Sequence, residues 1–123
     1  MQEIKRILCV DDNEDVCDLL TIMLGLSDLD VICVADRGEA LRLIKQEQFG
    51  LFIIDSRLPG ISGLSMCEEI RKIDQLTPVI IYSGNAHMSD IKSGMLAGAN
   101  AYLVKPETAE IVPTVKRLLD LPS

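Results

Sequence analysis

Leu51-Phe52-Ile53-Ile54-Asp55-Ser56-Arg57-Leu58-Pro59-Gly60-Ile61-Ser62-Gly63 is the stretch that decides how this chain folds. Four consecutive apolar residues without alternation describe a strand buried on both faces, as at the centre of a parallel sheet. The run stops at a single carboxylate, Asp55. Pro59-Gly60 then demands a turn, and Leu58, standing before a proline, is pushed to an extended conformation. Asp55 is therefore expected at the carboxyl end of a central strand, where open α/β sheets bind their ligands. Taken alone, such a residue is more often a loop aspartate that merely ends a strand. Its surroundings in the chain decide between the two.

Outward from that stretch the same pattern recurs. Ile7-Leu8-Cys9-Val10 stops at Asp11-Asp12-Asn13, and Val16, Leu19, Leu20, Met23 and Leu24 then follow at helical spacing, with Asp12 or Asn13 as N-cap. Val31 to Val34, flanked by Asp30 and Asp36, reads as a strand nearer an edge. Arg37 to Gln48 makes a second helix with Ala40, Leu41 and Ile44 inward. A third helix is lined by Leu64, Cys67, Ile70 and Ile73, with Glu68, Glu69, Arg71 and Lys72 on its solvated face. Val79-Ile80-Ile81-Tyr82 ends at Ser83-Gly84-Asn85. The helix from Ser89 to Ala97 is the weakest and is expected to be mobile, since it contains Gly94 and a helical glycine costs up to about 1 kcal/mol against alanine. Ala101 to Val104 ends at Lys105-Pro106, and Ile111, Val112, Val115, Leu118 and Leu119 line a final helix that tolerates Pro113 near its start.

Five strand-then-helix units with short connections predict one α/β domain over residues 1–123, a doubly wound five-stranded parallel sheet with five helices. The flavodoxin-like order 2-1-3-4-5 has its ligand crevice between strands 1 and 3, which would set Asp11, Asp12 and Asp55 side by side.

Composition narrows the function. With 12 basic and 19 acidic residues the net charge is −7, which argues against a nucleic-acid surface and for a positively charged ion or partner. Aromatic residues are only 3% and Trp is absent, which argues against a base-stacking platform. No apolar run is long enough to span a bilayer, and Met1-Gln2-Glu3 begins nothing like a signal peptide, so a cytoplasmic protein without membrane contact is expected. Cys9, Cys17, Cys33 and Cys67 show no C-x-x-C spacing and fall inside apolar patterns; they read as small buried hydrophobes in a reducing compartment, not as disulfide or metal ligands.

The polar residues that end the buried strands are Asp11 and Asp12, Asp55, Ser83 and Lys105, all on one edge of the expected sheet. Carboxylates crowded into one crevice repel, and a bound cation relieves that repulsion. Oxygen-only ligands favour Mg²⁺. With a lysine, a hydroxyl and a carboxylate nucleophile, the group holds the parts that phosphoryl transfer uses. Singly, Asp12 reads as a helix cap, Ser83 as a strand-end hydroxyl and Lys105 as a solvated charge. Jointly they are far less ordinary.

From about Lys5 to Leu121 the chain resembles the receiver domain of bacterial two-component response regulators. The residues that carry the resemblance are Val10-Asp11-Asp12-Asn13, Asp55 followed by Leu58-Pro59-Gly60 and Gly63, Ser83-Gly84, Ala97-Gly98-Ala99 and Tyr102-Leu103-Val104-Lys105-Pro106. The resemblance implies that Asp55 accepts a phosphoryl group from a histidine kinase or phosphotransfer protein. It implies Mg²⁺ bound by Asp12 directly, by Asp11 largely through water, by Asp55, and by the backbone carbonyl of Arg57. Ser83 would bond the phosphoryl group, Lys105 would pair with it, and Ser83 with the aromatic Tyr102 would form the switch. The Lys105–Pro106 bond would be cis.

The only chemistry so implied is self-phosphorylation and autodephosphorylation, with a downstream protein or fused output domain reading the result. Whether the domain stands alone or belongs to a longer regulator or hybrid kinase stays open. Departures from the common pattern are Glu107 after Lys-Pro, Gly84 after Ser83, and the variable positions Tyr82 and Arg57; none removes a catalytic part. The lone histidine, His87, reads as a solvated loop residue. Two rivals are a phosphatase with an aspartate nucleophile, which would want a second acid where Arg57 stands, and an interaction domain that never meets phosphate. On the solvent side of Asp55, Arg57 and Asn85 are expected to border the approach of water.

Overall fold

The computed structural model describes residues 5–122; Met1-Gln2-Glu3, read above as no leader peptide, lie outside the described residues. The strands are β1 (Arg6–Val10), β2 (Asp30–Val34), β3 (Leu51–Ile54), β4 (Arg57–Leu58), β5 (Ile61–Ser62), β6 (Val79–Ser83) and β7 (Ala101–Val104). The helices are α1 (Glu14–Gly25), α2 (Arg37–Gln46), α3 (Gly63–Ile73), α4 (Met88–Leu96) and α5 (Ile111–Leu118). The five long strands form one parallel sheet in the order β2-β1-β3-β6-β7. That is the expected 2-1-3-4-5 order once the small antiparallel hairpin β4–β5, closed by Pro59-Gly60, is set apart. β2 is an edge, as its flanking aspartates suggested.

Side chains alternate between two cores, because successive residues of a strand point to opposite faces. Leu8, Val10, Phe52, Ile54, Val79 and Ile81 pack with α2 and α3 on one side. Ile7, Cys9, Leu51, Ile53, Ile80 and Tyr82 pack with α1 and α5 on the other. The unbroken apolar run in β3 is explained by this double burial: all four of its residues are buried.

Four expectations are corrected. Cys17 on α1 and Cys33 on β2 are joined by a disulfide, with Cα atoms 6.1 Å apart. Sixteen residues separate them, and only the crossover that lays α1 against β2 brings them together, which no local spacing could signal. Cys9 and Cys67 are free and buried, as read. Leu19 is 37% exposed and Ile73 is 50% exposed, so neither is a core residue; Ile73 is the last residue of α3, where the chain leaves the sheet. In α2 the fully buried positions are Ala40 and Leu43, with Leu41 and Ile44 half-buried against them, and the helix stops at Gln46. Arg71, assigned to a solvated face, turns inward: its guanidinium donates to the carbonyls of Gly98 (3.0 Å), Asp74 (3.1 Å) and Thr77 (2.7 Å) and to Asn100 Oδ1 (2.9 Å).

Candidate functional site

The carboxyl ends of β1, β3, β6 and β7 meet at one edge of the sheet, where Asp11, Asp55, Ser83 and Lys105 follow or end them. Asn13, not Asp12, caps α1, accepting from the amides of Asp15 (2.9 Å) and Val16 (3.4 Å). Asp12 is thereby spared for the crevice. Carboxylate oxygens of Asp11, Asp12 and Asp55 lie within 4.8 Å of one another. Asp11 is buried, Asp55 half-buried and Asp12 exposed.

Lys105 Nζ reaches in from the end of β7, donating to Asp11 Oδ2 at 2.8 Å and lying 3.5 Å from Asp55 Oδ2. The Lys105–Pro106 bond is cis, as the resemblance implied. Burial and the charge of Asp11 hold the Asp55 carboxyl above its ordinary range, although Lys105 and a backbone hydrogen bond from Arg57 oppose them. For Lys105, burial works against the ammonium, but the hydrogen bond and charge of Asp11 and the charge of Asp55 outweigh it and hold its affinity for the proton above the ordinary value. One ammonium among three carboxylates leaves the cluster short of positive charge. An all-oxygen donor set of this kind, open on the Asp12 side, fits Mg²⁺.

The main chain of Asp55 is held on both sides. Its amide donates to Val10 O at 3.0 Å. A Cβ at position 63 would lie 2.1 Å from its carbonyl oxygen, so only glycine lets α3 start this close. Gly63 N in turn donates to Ser56 O at 2.9 Å.

The opposite lip is the β6–α4 loop. Ser83 is 1% exposed, and its Oγ accepts from Asn85 N at 3.0 Å and shares a hydrogen bond with Ser56 Oγ. Arg57 Nη2 donates to Asn85 Oδ1 at 2.9 Å. With Asn85 Nδ2 donating to Ser56 Oγ at 3.4 Å, three hydrogen bonds cross the crevice mouth, beside a cavity of about 280 Å³ lined by Asp55, Ser56, Arg57, Gly84, Asn85 and Lys105. Arg57 and Asn85 were expected to border this opening; that they bind each other was not foreseen. Ser56 was missed altogether. The one available signal was a small hydroxyl directly after the candidate nucleophile.

Tyr102 donates its hydroxyl to Asn85 O at 2.8 Å, which ties the aromatic ring to the same loop. Gly94 lies against that ring, and a Cβ there would come within 2.9 Å of Tyr102 Cδ2 and 3.0 Å of Ile81 Cδ1. The glycine that weakens α4 is what allows the helix to seat on Tyr102. His87 is exposed and precedes α4 without making a side-chain cap. Tyr82 donates to Glu107 O at 2.9 Å and its ring centroid lies 5.6 Å from Lys105 Nζ, so one of the variable positions supports the lysine's loop.

A family model described as the response regulator receiver domain matches residues 7–116. The transcriptional regulatory protein PrrA of Mycobacterium tuberculosis is 37% identical over 115 residues, 93% of this chain and 49% of that protein. The chain therefore spans about half the length of the curated relatives it matches. Among solved structures, the response regulator TrrA of Thermotoga maritima, in complex with Mg²⁺ and BeF, is 33% identical with a TM-score of 0.83, covering 94% of this chain and 99% of that one. The receiver domain of a sensor histidine kinase from Pseudomonas aeruginosa, with magnesium coordinated in its active-site cleft, is 31% identical with a TM-score of 0.85, covering 94% and 98%.

Proposed function

This chain belongs to the response regulator receiver domain family, and from that membership we propose that Asp55 is its phosphoacceptor. The observation that carries the reading is Lys105 Nζ, held 3.5 Å from Asp55 Oδ2 and 2.8 Å from Asp11 Oδ2 within the acidic cluster. A carboxylate oxygen of Asp55 attacks the phosphorus of a phosphohistidine on a kinase or phosphotransfer protein. The P–O bond forms, the P–N bond breaks, and the departing imidazole takes a proton from solvent. Lys105 holds the charge of the incoming group, and Ser83 turns its hydroxyl toward it. Asp11, Asp12, Asp55 and the carbonyl of Arg57 would hold Mg²⁺, which when bound offsets the negative charge that gathers during transfer.

Receiver domains are phosphoacceptors, not turnover enzymes, and here the chemistry is confined to gaining and losing one phosphoryl group. A phosphatase would turn over, and the residue two beyond Asp55 is Arg57 in place of the second acid such enzymes use. Phosphorylation adds charge and acceptor oxygens beside Ser83. Ser83 and Tyr102 relay that change to the face made by α4, β7 and α5, which a downstream protein or fused output domain would read. Hydrogen exchange is expected to change most between Gly84 and Leu103 on phosphorylation; uniform protection along the chain would count against this route. The charge of −7 speaks against direct contact with nucleic acid by this domain. Among the described residues no helix is long and apolar enough to cross a membrane. A cytoplasmic site of action is part of the same proposal, and the Cys17–Cys33 bridge is the feature that stands against a steadily reducing one.

Incubation with a small phosphodonor and Mg²⁺, followed by intact mass, tests the assignment. The wild type is expected to gain one phosphoryl group and Asp55→Asn none, with its fold retained. Labelling that persists in Asp55→Asn, or multiple turnover by the wild type, overturns it. In a metal titration Asp12→Ala is expected to weaken Mg²⁺ binding more than Asp11→Ala; the reverse order would exchange their roles.

A further inference from the structure

Ser83 is buried almost completely, yet it is the hydroxyl that the incoming phosphoryl group must recruit if the reading above holds. In the resting site its oxygen has two partners, the amide of Asn85 and the hydroxyl of Ser56. A hydroxyl has one proton to give. Asn85 N donates to Ser83, and the bond between the two hydroxyls can run either way; the arrangement that gives the Ser83 proton an acceptor has it donate to Ser56 Oγ, which also receives Asn85 Nδ2 at 3.4 Å. Bulk water does not reach that place, because Ser83 is 1% exposed. Arg57 holds the far side of Asn85 at 2.9 Å and so keeps the two loops facing each other while the hydroxyls are paired.

We propose that Ser56 is a positioning residue that occupies the Ser83 hydroxyl until a phosphoryl group takes it, and so sets how readily the crevice accepts one. Two acceptors compete for one buried proton. When the anion arrives, Ser83 must turn from Ser56 to a phosphoryl oxygen, and Ser56 is left with the amide of Asn85. The anion's hydrogen bond is the stronger one because its acceptor is charged, yet the resting bond must first be given up. Without a hydroxyl at position 56 the Ser83 proton would have no partner in the resting state, and a buried unpaired hydroxyl is costly. Removing Ser56 therefore raises the resting state and leaves the anion-bound state with Ser83 fully used. Ser56 stands directly after the phosphoacceptor, so the competition is built into the same turn that presents Asp55.

The inference rests on the phosphoacceptor reading, and its test keeps the two apart. Beryllium fluoride with Mg²⁺, titrated into the intact chain and followed by calorimetry, serves as the phosphoryl probe. Ser56→Ala is expected to bind it about three- to tenfold more tightly than the wild type, the scale of one buried hydrogen bond. Ser56→Thr, which keeps the hydroxyl, is expected to return to within about twofold of the wild type on the same scale. In a Ser83→Ala background the gain from Ser56→Ala should vanish, because no shared proton remains. If Ser56→Ala fails to fold in a thermal melt, Ser56→Cys makes the same measurement at nearly the same volume with a far weaker acceptor. An unchanged or weakened affinity in the variant overturns the inference while leaving Asp55 in its role. A gain that persists without the Ser83 hydroxyl also overturns it, since Ser56 would then act through bulk alone. A wild type that does not bind the probe at all removes the phosphoacceptor reading, and the inference with it.

Discussion

The two ends of the sheet are built on opposite terms. At the carboxyl edge three carboxylates face one lysine, and the loops that close the mouth meet through Ser56 with Ser83 and Arg57 with Asn85. At the amino edge Arg71 spends its guanidinium on Gly98, Asp74, Thr77 and Asn100. Asp74 there accepts from the amides of Leu76 and Thr77 and from the Thr77 hydroxyl at 2.6 Å. Asn100 Oδ1 also takes the amide of Val79 at 2.9 Å. One end is a satisfied knot; the other keeps like charges close. α4 spans both: its C-terminal side hangs on Arg71 through Gly98, while its first turn has no side-chain cap and reaches the rest through Tyr102 and the Asn85 carbonyl. The helix is thus held by more hydrogen bonds at its C-terminal end than at its first turn. Dense hydrogen bonding is thus placed at one end of the sheet and crowded charge at the other.

Breaking the knot should cost most. Arg71→Ala strips the donor from four acceptors and is expected to lower unfolding free energy by about 3 kcal/mol in urea titrations, with beryllium fluoride affinity changed by less than about twofold. A large loss of affinity would mean that the two ends are not separate. Asp74→Ala should cost about 1–2 kcal/mol, the worth of a lost turn cap. Burial of Asp74 works against its charge, but the Thr77 and Leu76 hydrogen bonds and Arg71 outweigh it and hold the carboxyl below its usual range. Its stabilising contribution is therefore present above the unfolded value and is lost as pH falls through the folded one. The cost of Asp74→Ala should accordingly shrink in acid, as melts across the carboxylate range would reveal.

At the other end the effects are smaller. The Arg57 guanidinium holds Asn85 at the mouth of the cavity that Asp55 lines, so Arg57→Ala should shorten the phosphorylated lifetime by about threefold, roughly 0.7 kcal/mol in barrier. Mass spectra taken through the decay under saturating Mg²⁺ decide this; an equal or longer lifetime would make Arg57 a solvated loop residue. Smallest of all, and opposite in sign to the knot variants, is the stability change in Asp55→Asn. Folding raises the Asp55 affinity for its proton, so its contribution is complete below the unfolded value and is lost as pH rises through the folded one. The asparagine variant should melt slightly above the wild type at neutral pH in metal-free buffer. The gap should close in acid and on adding Mg²⁺.

Much of the carboxyl edge was legible because each of its residues ends an apolar run, and the period of two against 3.6 locates strand ends without knowledge of contacts. Asp11, Asp12, Asp55, Ser83 and Lys105 were found this way, and the βα alternation implied the sheet that gathers them. What remained hidden depends on side chains meeting across distant segments. Arg71 sits in a charged run on α3 and looks solvated until the turn after Asp74 and the loop after Gly98 are folded around it. Cys17 and Cys33 share no motif, and Ser56 gains meaning only when β6 lies beside β3. Gly94 was read through its cost to a helix; its benefit appears only against the ring of Tyr102.

The close approach of Gly63 to the Asp55 carbonyl bears on anyone wishing to make this domain report its own state. With its amide bound by Val10 and its carbonyl pressed against the start of α3, Asp55 has a rigid mount. A change at its side chain is therefore expected to displace the far lip more than the α3 side. A fluorophore attached to α3 should stay dark to phosphorylation, whereas one on the exposed surface of α4 would ride the part that gives. On this expectation the domain has a deaf flank and a listening flank, and a glycine without a side chain divides them.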